Sequence, residues 1–252
     1  MTSYIGYNNI LETGTVTVTS EATGYEKENA FDWNSFDYWK ASASGTVYLT
    51  VDAGAATVVD YWALAFHDLA DNSGTIKAQY SAGGSSPFSW SDLDTVQTPS
   101  DGKVIFRPVT QQNVRYYRFE ISSTGAASAI GALSIGQALT LPYGMQSPFI
   151  TPTYARNKKI LNSITEGGQF VGRSVQNMGQ KFTIAQKGCT ETWIEANWES
   201  LIDHIEIKPF FFLWDQENHP TEAAYAWANK FKYPTYNQPH YDFSISCEGL
   251  LS

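Results

Sequence analysis

The side chains that could do chemistry are few and dispersed. Four histidines, His67, His204, His219 and His240, include no i, i+4 pair, so the paired-ligand spacing of metal hydrolases is absent. Cys189 and Cys247 are the only cysteines and lack Cys-x-x-Cys spacing, so they read as buried thiols rather than a zinc or redox site. There is no Gly-x-Ser-x-Gly elbow, no phosphate loop and no Gly-x-Gly-x-x-Gly fingerprint. Glycoside hydrolysis asks only for two carboxylates at a separation set by the fold. Asp215 with Glu217 is the pair to inspect, although Gln216 to Thr221 reads first as a solvated polar loop with His219 as a turn residue. The chemistry on offer is binding, not catalysis.

A sugar site needs exposed rings beside hydrogen-bonding groups, because the apolar face of a pyranose stacks on an aromatic ring. Tyr25, Trp33, Phe36 and Phe88 fall in loops and are the candidates, with Trp33 and Phe36 in a short polar loop where a protein contact is equally open. In the same loop Asp32, Asn34 and Asp37 could offer oxygens to a calcium ion. No bidentate glutamate accompanies them, and an Asx turn explains them as well; no other cofactor is implied. Arg115 and Arg118 fall on opposite faces of an alternating segment, which disperses their charge and favours a structural role.

The charge balance narrows the partners. Sixteen Lys and Arg stand against 25 Asp and Glu, a net charge of -9, so nothing neutralises a nucleic-acid backbone. Before Pro142 the count is 7 basic to 14 acidic and after it 9 to 11, so a sugar bound by the first half should be neutral or basic. No run approaches the roughly 20 apolar residues of a membrane helix, and Met1 to Leu11 has no signal-peptide pattern. These features predict a soluble protein made in the cytosol, with no membrane insertion.

The elements that must position these residues have two grammars, with a boundary expected at Leu141 to Pro148 and domains at 1–142 and 143–252. The first half reads as short strands, Thr15 to Ser20, Thr46 to Asp52, Tyr61 to Phe66, Thr75 to Ser81, Lys103 to Arg107 and Arg115 to Ser122, separated by turns such as Ser81 to Ser86. Val47, Leu49 and Val51 alternate with Thr46, Tyr48 and Thr50, as in a half-buried antiparallel strand. With no crossover helix between the strands, the first half is predicted to be a β-sandwich jelly roll. In the second half, Arg156, Lys158 and Lys159 read as a solvated face. Ile194, Trp198, Leu201, Ile202 and Ile205 form one helical stripe, with Thr192 and Glu195 as a capping box and Pro209 as the stop. Pro209 to Asp215 fits a strand buried on both faces, followed by strands near Ala226 to Tyr233 and Tyr241 to Cys247. The fold class is mainly β: a jelly roll plus a second sandwich flanked by one helix.

Five pieces of the first half carry a resemblance: Ala30-Phe31-Asp32 with Tyr38-Trp39, Val51-Asp52-Ala53-Gly54, Tyr80-Ser81 before Trp90, Arg115-Tyr116-Tyr117-Arg118, and Gly131 to Gly136. In that order they resemble the discoidin, or coagulation factor 5/8 type C, galactose-binding-like modules, over roughly residues 20–141. The resemblance implies a non-catalytic binding module, often with a structural calcium ion, and places Trp39 and Trp90 in the core. From about 150 to 252, the helix before Lys208-Pro209-Phe210, the strand closing in Leu213-Trp214-Asp215, and the last strand ending in Glu248-Gly249-Leu250 resemble the tail-tube-derived domain of bacteriophage distal tail and minor tail proteins. That resemblance implies a ring homo-oligomer, a hexamer rather than a trimer, at the tip of a non-contractile tail. Its partners would be the tail tube, other tail-tip proteins and a host surface glycan, and its location the virion after synthesis in the host cytoplasm. The jelly roll preceding the tube-like domain, instead of being inserted in it or following it, departs from the usual pattern. A free-standing carbohydrate-binding lectin or adhesin is the alternative.

Overall fold

The computed structural model describes residues 1–83 and 88–249. The chain opens with β1 (Tyr4–Gly6) and a one-turn helix α1 (Ile10–Thr13), then runs through β2 (Thr15–Val18), β3 (Trp39–Lys40), β4 (Gly45–His67), β5 (Thr75–Ser81), β6 (Trp90–Asp92), β7 (Ile105–Ser123), β8 (Ala129–Gly136) and β9 (Leu139–Thr140). It continues with β10 (Arg156–Ile164), β11 (Phe170–Cys189), α2 (Glu191–Ile205), β12 (Phe210–Leu213), β13 (Ala223–Asn237) and β14 (His240–Gly249). Residues 84–86 of the expected Ser81 to Ser86 turn, and Leu250 of the expected last strand, lie outside the described residues.

The first sheet is an antiparallel β-sandwich in the order β3-β8-β4-β7-β5-β6, with β2 also on β4. Two pairs of expected strands are each one long strand: β4 spans Thr46 to Asp52 and Tyr61 to Phe66, and β7 covers Arg107 and the Arg115 segment. Irregular register between Asp52 and Thr57 bends β4 without ending it. Gly54 sits there at φ +76, where a Cβ would be strained, and its N–H bonds the Asp52 carboxylate at 2.8 Å. The bend lets the first part of β4 pair with β2 and the second with β8, so one strand serves both layers. Val47, Leu49 and Val51 are buried between the layers with Trp39, Trp62, Phe119 and Ile135.

The second sheet runs β10-β11-β14-β13-β12-β1-β9. Tyr4 pairs with both Leu213 and Thr140, so β1, before the jelly roll, and β9, after it, both belong to this sheet. The jelly roll is therefore inserted in the second sheet's chain and does not simply precede it, which corrects the domain order read from the sequence. β1 and β9 also belong to the second sheet although they fall within residues 1–142.

Strand β12 is buried on both faces, and its alternation shows why. Phe210 and Phe212 face a core with Phe182, Ile184, Phe243, Ile245 and the α2 residues Leu201, Ile202 and Ile205. Phe211 and Leu213 face the jelly roll, packing with Tyr61, Ala63, Ala65, Phe106 and Tyr225. Helix α2 lays its stripe on its own sheet, with the Trp198 ring 4.9 Å from that of Phe243. Its N-cap is Thr190, whose hydroxyl accepts from the Trp193 N–H at 3.3 Å, not Thr192, which sits inside the first turn. Cys189 and Cys247 are free and buried, and burial raises both thiols, Cys189 to about 11.

Candidate functional site

The polar loop after Ala30 does not present all its rings to solvent. Trp33 is 7% exposed, and its ring packs against His204 of α2 and against Phe211 and Tyr225 of the second sheet. Its indole N–H donates to the Glu12 carboxylate at 2.5 Å, and its carbonyl accepts from the Tyr225 hydroxyl at 2.6 Å. A ring so enclosed cannot stack a sugar, which removes Trp33 from the platform. Trp33 holds φ +66 and Phe66 φ +55, a costly conformation for bulky side chains, and both rings lie against Tyr225. The backbone of this loop is shaped by the junction between the sheets.

The other three candidates are not brought together around Trp33. Phe36 is 87% exposed, and Tyr25, at the edge of exposure, stacks on Tyr38 with centroids 4.9 Å apart. Phe88 lies elsewhere, against Tyr116 at 4.6 Å and Trp90 at 5.3 Å. Trp39 is fully buried, as the discoidin resemblance implied. Trp90 is not core: it is half-buried on an outer face, with the Arg118 guanidinium 4.3 Å from its centroid and equally close to that of Tyr48. Arg115 makes a two-pronged ion pair with Asp52 at 2.6 and 2.7 Å, which holds that carboxyl down at about 2.

The calcium candidates spend their oxygens on one another. Asp32 accepts from the Asn34 N–H at 2.8 Å, Asn34 accepts from the Phe36 N–H at 2.9 Å, and the Asn34 amide donates to Asp37 at 3.0 Å. This is a chain of Asx turns. The Asp215 and Glu217 pair is likewise engaged. Asp215 is buried and accepts from the N–H groups of Glu217 and Asn218. Glu217 takes the Thr2 hydroxyl and N–H, which hold it down at about 2. His219 stacks on Trp214 at 4.5 Å and bonds Glu222 at 3.1 Å, as a turn residue would.

The surface that asks for a partner is one the sequence reading took for a solvated face. Beyond Gln180, where β11 leaves β14, β10 and β11 continue as a two-stranded arm. Cross-strand pairs Ile160 with Val175 and Ile164 with Phe170 place four apolar side chains on one face, each at least half exposed. Leu161 and Val171 are also exposed. A two-stranded ribbon is marginal in water, and exposed apolar patches mark contact sites. The outer edge of β10 is unpaired among the described residues. At the far side β13 pairs with β12 only through Ala223 to Ala226, leaving 227–237 as a second open edge. Between these edges, Phe182, Ile184, Phe243 and Ile245 point under α2, while Lys181, Thr183, Ser244 and Ser246 form a polar opposite face.

No family model matches the chain, and no curated protein matches it. Among solved structures it is similar to a chitosan-binding module from a chitosanase/glucanase of Paenibacillus sp. IK-5, at 22% identity and a TM-score of 0.44, over 52% of this chain and 99% of that one. It is also similar to a Ruminococcus gnavus fucosidase in complex with fucose, at 20% identity and a TM-score of 0.42, over 52% of this chain and 27% of that one. A Clostridium perfringens protein in complex with GalNAc-beta-1,3-galactose matches at 12% identity and a TM-score of 0.43, over 50% of this chain and 96% of that one.

Proposed function

We propose that this chain is a structural subunit that joins copies of itself into a closed ring through the edges of its second sheet, and carries the jelly roll as a carbohydrate-binding-type module. The observation that carries the reading is the exposed apolar arm. Strands β10, β11, β14 and β13 are antiparallel neighbours throughout, so the two open edges run in opposite directions. The β10 edge of one copy can then continue the β13 edge of the next as another antiparallel pair. Such head-to-tail contacts close into a ring when the rotation permits. The polar face would line one surface of that ring, with α2 on the other.

The biological setting that fits is the tip of a non-contractile bacteriophage tail, with six copies favoured and other tail-tip proteins as neighbours. Inserting the jelly roll in the chain of the second sheet fits that setting better than placing it in front. Its role there is contact with a host glycan through Tyr25 and Phe36. Light scattering on the purified chain tests the assembly: a mass near six copies is expected, falling to one in the variant Ile160→Ser/Ile164→Ser/Val175→Ser. A wild-type chain that stays monomeric as concentration rises would overturn it.

A further inference from the structure

The two sheets part beside the base of the arm, leaving an open groove of about 550 Å³, a size usual for organic ligands. Lys103 and Val104, in the segment leading into β7, form one wall, and Arg156, Lys158 and Gln180 another. A second recess of about 520 Å³ shares Lys103, Val104 and Glu222 with it.

Charge and hydrogen bonding in this groove are out of keeping with the rest of the chain. The protein carries a net charge of -9, yet three cations line the groove against one carboxylate, Glu222. That carboxylate is taken by the Trp214 indole and His219, both at 3.1 Å. Lys103 pairs with Asp101, whereas Arg156 and Lys158 have no ion-pair partner among the described residues. Independently, Gln180 is only 8% exposed, and its buried Oε1 accepts no hydrogen bond. Buried acceptors are rarely left unpaired, and this one asks for a donor from within the groove.

A ligand that satisfies both features carries an anion and a hydroxyl on one compact body. We propose that the groove binds an acidic saccharide, its carboxylate on Arg156 and Lys158 and one hydroxyl donating to Gln180 Oε1. Guanidinium and carboxylate match as a planar two-bond pair. Val104, Val175 and Ala223 supply an apolar floor for the ring carbons. This site is separate from the Tyr25 and Phe36 loop, and it reverses the charge preference that the acidic first half suggests.

Calorimetric titration of the full chain with a hexuronic acid trimer tests this, with its methyl ester, inorganic phosphate and a poly-glutamate peptide as parallel probes and the oligomeric mass recorded for each variant. Saturable binding of the trimer is expected, with none for the ester or phosphate. It should weaken about tenfold or more in Arg156→Gln/Lys158→Gln and in Lys103→Gln, the latter lying on the opposite wall and outside the arm. Gln180→Leu should weaken binding with assembly unchanged. Absence of trimer binding overturns the proposal, as does equal binding of the ester or undiminished binding in the variants. Preference for the peptide, or loss of binding only where assembly is also lost, assigns the cations to a protein contact and overturns it too.

Discussion

Replacing Trp33 with alanine separates two accounts of its loop. If Trp33 were a sugar platform, its loss would abolish binding and leave stability alone. Enclosed as it is between the sheets, it should cost stability instead. A buried Trp removes about 200 Å² from water, worth about 5 kcal/mol at about 25 cal/mol/Å². A denatured chain that already hides part of this surface trims the figure, while the cavity left at the junction adds to it. A net loss of about 3–5 kcal/mol is expected, lowering Tm by about 10 °C in a chain of this size. The backbone supplies a sign test. Residue 33 sits at φ +66, so Trp33→Gly should be more stable than Trp33→Ala by about 1 kcal/mol although its side chain is smaller. Scanning calorimetry of the three proteins reads both quantities. A Tm unchanged in Trp33→Ala, or alanine more stable than glycine, would refute the packing argument.

Trp198→Ala should cost about 3–5 kcal/mol through the cavity left against Phe243, measured by denaturant unfolding; unchanged stability with lost assembly would move the stripe to an interface. Burial depresses the pKa of both His67 and His204 below the ordinary histidine value, so the unfolded chain takes up protons first on acidification. Their contribution is complete above about pH 6.5 and is lost as pH falls below that toward the depressed folded-state values. His204→Asn should flatten that slope, because His204 packs on Trp33 and bonds the Pro209 carbonyl at 3.0 Å; a slope unchanged in both His67→Asn and His204→Asn contradicts this. Tyr25→Ala/Phe36→Ala should abolish signal on the neutral sugars of a glycan array without altering Tm, and a retained neutral-sugar signal would place that sugar elsewhere.

What the sequence made legible were features with a period. The alternation at Val47, Leu49 and Val51, the helical stripe from Ile194 to Ile205 and the unbroken Phe210 to Leu213 run each state a burial pattern that the fold satisfies. Strands β1 and β9, of three and two residues, are too short to carry a period, and only their pairing across the inserted jelly roll reveals the second sheet's full extent. The arm was illegible for the opposite reason: both its faces are exposed, so nothing alternates. Trp33 looked exposed because polar neighbours surround it in sequence, whereas its contacts, His204, Phe211 and Tyr225, come from far along the chain. At the cap, Thr190 lacks a Glu or Gln three residues on, and Thr192 with Glu195 offered the more regular pattern two residues too late.

Electron cryomicroscopy of the assembled chain tests the central claim most directly. The account predicts closed rings in which β10 of each copy, Arg156–Ile164, lies antiparallel and hydrogen-bonded to the 227–237 edge of its neighbour, with the jelly rolls projecting outward. Particles that are single copies, or assemblies in which the arm remains solvent-exposed and the jelly rolls make the contacts, would contradict it.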